Sequence, residues 1–433
     1  MNEKKEKSLS RTKEEIALYE PIFEVLEQDP GEMGHLHIPV LKDLLNRHKR
    51  TVECVEKGLP FLASQFTNPA EILTAMDLHW YFTIEQIFTG AGTGGTPHHM
   101  EDLEAADRMT VPKDCCTLIR LTLYYAIAEL LPIPSAYLAL TEPCDSVTGW
   151  HAAFMHHPDW RDVPVFVPDP PYHQDERAVE YYAGEMRRMI DFITKHTGKT
   201  MDIDRLREVV EETNKQYELW MEYNDIRRSI PAPHGNILGM SCFGMTNCPG
   251  AGNPENTPWF KDLIADAEMR VRENKPEVPN QKIRVFWYDI LPTFFGEISS
   301  WLEQEWGAVV VMDMVGYCPY ELIDTSTEDS MFRGLAKRAF QHGPMIHQGR
   351  GSVDNVVFDI QRIVKDYKVD CVFFPGHMGH KEMAASASIM RDTCRELGVP
   401  FLHIGMDCMD SRYTTVDEIK DKISQFFTAM GLD

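Results

Sequence analysis

Nothing in the 433 residues approaches the roughly 18 consecutive apolar residues that span a bilayer. The opening stretch MNEKKEKSLSRTKEE has no apolar segment behind its charges, so it does not read as a secretory signal. Positive charge is scarce: 43 Lys and Arg stand against 67 Asp and Glu, for a formal net charge of −24. That argues against nucleic acid or an anionic membrane as a main partner. The 10 cysteines include no CxxC pair and no compact ferredoxin-like run. The expectation is a cytoplasmic protein without disulfides, in which any metal site must be assembled from distant turns.

What is present is alternation. Residues 1–57 are charged and repeat apolar positions at spacings of three and four, as in ALYEPIFEVLEQ, and read as a helical arm. From Leu59 the texture changes. LPFLASQFT reads as a strand, Asn68-Pro69 as a turn and AEILTAMDLHWYF as a helix. DCCTLIRLTLYYAIAEL reads as a turn entering an amphipathic helix. PSAYLALTEPCDSVTGWHAAF repeats strand, turn and helix, and PVFVPDPP adds a short strand. Residues 58–170 therefore read as a first α/β lobe. Over 171–280 two long amphipathic helices form a connector, the second capped by Asp202 or Asp204, while SCFGMTNCPGAGNPENTP reads as a loop. Over 281–433 the strands IRVFWYDI, AVVVMDM, DCVFF and PFLHIGMD alternate with helices. Such alternation implies parallel pairing through right-handed crossovers. The expected fold is α/β: two doubly wound parallel-sheet lobes, joined by a helical segment behind an N-terminal arm.

Two cysteines stand where an element switches. Cys116 precedes a helix, and Cys144 ends an apolar strand. Open α/β sheets bind ligands at that edge, where helix N-termini favour the thiolate that holds soft metals. A small buried apolar residue is the competing reading of either cysteine.

NPAEILTAMD, DCCTLIR, LALTEPCDSVTGW, GKTMDIDRLREVVEETNKQYELW and GVPFLHIGMDCMDSRYT occur in an order and spacing that resemble the 2-hydroxyacyl-CoA dehydratase and benzoyl-CoA reductase family. The likeness runs over most of the chain from about Leu59, and its closing motif supplies Asp407, Asp410 and Arg412. The resemblance implies a D-component-type subunit with flavodoxin-like lobes. It implies a [4Fe–4S] cluster in the cleft on three cysteines, with Cys116 and Cys144 as two of them. It further implies an acyl-CoA substrate, a paralogous subunit as heterodimer partner, and an ATP-dependent iron–sulfur activator that delivers a low-potential electron. The chemistry implied is dehydration of a 2-hydroxyacyl-CoA or reduction of an aromatic acyl-CoA.

The family's third cysteine falls in the turn after the VDCVFF strand. This chain has HMGHKEM there, with Gly379 or His380 at the cysteine's place. Three readings stand open. His380 replaces the thiolate, since imidazole can ligate a cluster iron and raises its potential. Or the chain has no cluster and serves as a structural or CoA-binding partner of a paralogous catalytic subunit. Or Cys115 or Cys408 completes the site. A reductase built on a related double-cluster protein needs more thiolates than this turn offers.

Other features have plainer readings. His98-His99 and His156-His157 read as solvent-exposed, and GTGGTP at residues 92–97 as a loop lacking the P-loop ending. Cys242 and Cys248 read as parts of a structural loop. Arg187-Arg188 and Arg227-Arg228 read as solvated helical pairs. Glu142 and Asp145 read as orienting the turn around Cys144.

Overall fold

The structure, a computed structural model, describes residues 3–65, 68–82, 98–109, 112–141, 144–235, 237–318, 320–343, 346–349 and 353–432. Glu142 and the glycine-rich residues 92–97 lie outside the described residues, as does the side chain of Asp145.

Short apolar runs flanked by turns make the strands. β1 (Phe61–Ser64), β2 (His79–Phe82), β3 (Ala136–Leu138) and β4 (Val165–Phe166) form one sheet. β5 (Ile283–Trp287), β6 (Ala308–Asp313), β7 (Cys371–Phe374) and β8 (Phe401–His403) form the other. Every pairing is parallel. The orders are β2-β1-β3-β4 and β6-β5-β7-β8, the flavodoxin-like order repeated. β1, β5, β6 and β7 are buried along their whole length, as expected of parallel strands covered on both faces. In each sheet the chain reverses direction between the first strand and the third in sequence. Those two switch points, β1/β3 and β5/β7, are where such sheets place ligands.

Helices Glu3–Gln28 and Gly34–Lys57 pack on each other ahead of β1. Helices Glu176–Thr197 and Ile203–Ile226 separate the sheets in sequence. Asp202 caps the second, its carboxylate accepting from the Asp204 and Arg205 amides at 2.9 and 3.3 Å. Helix Glu328–Lys337 belongs by sequence to the second sheet's side. Its Met331, Phe332 and Leu335 nevertheless join the core of the first, as do Cys408 and Met409. Beside them Arg338 makes a buried ion pair with Glu71 and donates to Asn214 Oδ1 at 2.9 Å. Among the described residues no helix is long and apolar enough to cross a membrane.

Three local expectations are corrected. AEILTAMDLHWYF is not one helix: it is helix Ala70–Ala75 followed by β2. Asp77 takes a left-handed φ of +51°, which ends the helix. Its aromatic tail then pairs with β1 in the register Leu62↔Trp80. The segment read as a loop around Cys242 contains helix Ile237–Asn247. That helix is apolar on every side and packed in a core, so it carries no amphipathic signature. Arg227 is not solvated. It is fully buried, its guanidinium 5.6 Å from the centroid of the Tyr223 ring and its carbonyl accepting from Arg284 at 3.2 Å.

Candidate functional site

Each of the three residues singled out in the sequence is the N-cap of a helix. Cys116 precedes Thr117–Ile127, Cys144 precedes Asp145–His156, and His380 precedes Lys381–Glu396. None closes a side-chain capping bond with its own helix. The first-turn N–H groups and the positive end of each helix dipole therefore favour negative charge at this place. All three lie on the side of the sheets where the strands end.

The turn after β7 brings His380 to Cys116. Gly379 sits so close that a Cβ built on it would lie 2.2 Å from Cys116 Cα and 2.3 Å from its backbone N. Glycine is required there because the Cys116 main chain occupies the space a side chain would need. A side chain at 379, a thiol included, does not fit, so of the two positions that match the family's cysteine only 380 can offer a ligand.

Charges couple the three groups. The neighbouring Cys408 thiol holds Cys116 below the ordinary thiol range against the effect of burial, with help from the His380 charge. Cys408 itself is pushed well above that range by Cys116 and by burial. Cys144 is pushed up to about 12, first by burial and then by the negative charge of Cys116. Burial works against a charged His380, yet the Asp289 carboxylate, and after it Cys116 and Glu382, raise it to about 9. The link to Asp289 is short, His380 Nδ1 to Oδ1 at 2.7 Å, and both residues are buried. His380 and His377 in turn hold Asp289 below the usual carboxylate range in spite of its burial.

His377 has a different task. Its Nε2 donates to the Ile290 carbonyl at 2.7 Å, tying the turn after β7 to the loop after β5. The closing motif ties the second lobe to the first. Asp407 accepts from the Thr117 hydroxyl at 2.5 Å and from the Met409 and Asp410 amides at 2.8 Å each. Asp410 grips Arg412 by two bonds of 2.7 and 2.6 Å, and Arg412 reaches Asp107 at 3.1 Å. Arg120 pairs with the same Asp107.

Sequence reasoning named Cys116, Cys144 and His380; in the structure Cys116 acts electrostatically on each of the other two. Of the alternative cysteines, Cys408 touches Cys116, whereas the Cys115 amide closes a turn onto Pro112 at 3.2 Å. Asp289, Glu382 and Thr117 were missed. Asp289 did carry a signal, an acidic residue directly after an apolar strand at a switch point. The more open cavities, of about 990 and 960 Å3, lie at the opposite edge, where strands begin. A narrow, partly open hollow lined by Asn68, Glu71, Tyr217 and Arg338 adjoins the first sheet's switch point.

Among the described residues no three His, Cys, Asp or Glu side chains are gathered to hold a single metal ion. A polynuclear iron–sulfur group spreads its ligands around a larger body and asks for soft donors. Two thiols and an imidazole, each the N-cap of a helix, have that chemistry.

Residues 65–430 match the family described as HGD-D: 2-hydroxyglutaryl-CoA dehydratase, D-component. Among curated proteins, the (R)-phenyllactyl-CoA dehydratase alpha subunit of Clostridium sporogenes is 22% identical over 52% of this chain and 56% of its own length. The lactoyl-CoA dehydratase subunit alpha of Anaerotignum propionicum is 23% identical over 33% of this chain and 39% of its own. The chain thus spans 56% and 39% of the length of these two curated relatives, less than two thirds of either. With the family match running from just after β1 to residue 430 and over all three site residues, the chain belongs to the 2-hydroxyglutaryl-CoA dehydratase D-component family.

Proposed function

We propose that this chain is a subunit of a cytoplasmic, anaerobic 2-hydroxyacyl-CoA dehydratase, a lyase that removes water from the acyl group of a CoA thioester. It works beside a paralogous subunit and receives its electron from an ATP-dependent iron–sulfur activator. Cys116, Cys144 and His380 are the proposed ligands of its [4Fe–4S] cluster. When bound, that group supplies one low-potential electron to the thioester. The chain's own part is to hold it: Cys116 as thiolate, Cys144 as a thiol that loses its proton on binding, and His380 through a ring nitrogen. Thr117 and Asp407 hold the lobes together around the site. What supports this reading is that each of the three residues is the N-cap of a helix, with Cys116 electrostatically linked to Cys144 and to His380, within the family frame.

Two observations favour a second reading, a cluster-less subunit that supports a catalytic paralogue. The Cys116 sulfur already has the Cys408 thiol as a partner, and Gly379 is seated on the Cys116 backbone. One experiment separates the two. The chain is co-produced with its paralogous subunit without oxygen, then assayed for iron, sulfide, EPR signal and dehydration of a 2-hydroxyacyl-CoA. Iron on this chain that is lost in Cys116→Ala, together with turnover, supports the first reading. Full turnover by a complex carrying Cys116→Ala and Cys144→Ala supports the second. No iron and no acyl-CoA binding in any preparation refutes the dehydratase assignment.

A further inference from the structure

We propose that Asp289 is the positioning residue of this site: through its bond to His380 Nδ1 it fixes Nε2 as the nitrogen the ring offers to iron. The inference rests on the reading of His380 as a ligand and adds a residue to it.

Asp289 lies two residues beyond the end of β5, and the turn bearing His380 follows β7, the neighbouring strand across the switch point. The two loops that diverge there meet again through this pair. The Asp289 carboxylate is fully buried. Its Oδ1 accepts from His380 Nδ1 at 2.7 Å and from the Ile290 amide at 2.8 Å, while its buried Oδ2 has no hydrogen-bond partner. A carboxylate only accepts, so Nδ1 must carry the proton and any lone pair of the ring lies on Nε2. Histidines that bind metals characteristically donate their other N–H to a carboxylate, which fixes the ring and raises its basicity. A buried carboxylate with one oxygen unmatched is costly to keep. That cost is understandable where the carboxylate orients a ligand.

His377 is the rival ring. Its Nε2 is committed to Ile290 O, and its buried Nδ1 has no hydrogen-bond partner. The test must therefore report which nitrogen binds.

The full-length chain is reconstituted without oxygen using ferrous iron and sulfide, as wild type, Asp289→Asn, His380→Cys and the double variant. Two readouts are taken: iron retained against a chelator, and 14N coupling to the cluster by pulsed EPR. The wild type should retain iron and show one imidazole coupling. Asp289→Asn, of nearly the same shape, should weaken retention by about 10–100-fold and shift or abolish the coupling. His380→Cys should lose the coupling but retain iron, and the double variant should match it, because a thiolate needs no orienting carboxylate. Wild-type retention and coupling in Asp289→Asn would overturn the role of Asp289 and leave the cluster reading standing. A nitrogen coupling that survives in His380→Cys would assign the ligand to another ring and overturn the inference. A loss in Asp289→Asn that His380→Cys does not rescue would mark Asp289 as structural. No iron in the wild type would remove the cluster reading itself, and the inference with it.

Discussion

The Thr117 hydroxyl donates to the Asp407 carboxylate at 2.5 Å, across 290 residues of sequence. Thr117 is the first residue after Cys116, and Asp407 is the residue before Cys408. The bond therefore fixes how the two thiols face each other. Hydrogen bonds to a charged group contribute about 1.5–3 kcal/mol. Thr117→Val should lower unfolding stability by about that much, and Thr117→Ser should recover most of it, measured by urea denaturation.

His380→Ala should be more damaging than its size suggests. It strands the buried Asp289 carboxylate, and removing one partner of a buried pair costs about 3–5 kcal/mol. Combining it with Asp289→Asn should return much of the loss. A double-mutant cycle in denaturant checks this, and additive effects would mean that the two residues do not act as a pair.

Gly379→Ala should displace the turn from Cys116. The added methyl meets main-chain atoms, which cannot rotate aside. Overpacking of this kind costs about 1–3 kcal/mol. The expected sign is a lower denaturation midpoint together with faster alkylation of Cys116, read by mass spectrometry. An unchanged alkylation rate would contradict the close seat.

Acid should loosen the attachment of the N-terminal arm. Asp266 accepts from His234 at 2.7 Å and from Arg270 at 2.5 Å, and lies 3.3 Å from His35 of the arm; Glu32 pairs with Arg270, and Tyr223 bonds His234. Burial opposes the Asp266 charge, yet His234 and Arg270 hold it at about 2, below its ordinary 3.8. A depressed carboxylate lends stability above its unfolded value and loses it as pH falls through the folded one. The urea midpoint should therefore drop between about pH 4 and pH 2 in the wild type, and less steeply in Asp266→Asn.

The alternation of apolar strands with helices was enough to read two parallel α/β lobes, because strands buried on both faces are nearly continuous apolar runs. β2 was not legible. HWYF follows a good helix former, and only the three residues Met76 to Leu78, with the left-handed Asp77 among them, separate the two. The helix around Cys242 was hidden by being apolar on all sides. Cys116, Cys144 and His380 were legible as residues at element starts. Their partners were not. Asp289 stands 91 residues from His380, and a pairing across that distance leaves no trace in local pattern.

The seat of Gly379 on Cys116 gives the molecule a mechanical property. Side-chain joints yield gradually, because torsions rotate and rotamers exchange. Here main chain rests on main chain, and nothing soft lies between. A shift at this seam cannot be absorbed by a change of rotamer; it has to move main chain, in the turn from Pro375 to His380 or in the start of the helix after Cys116.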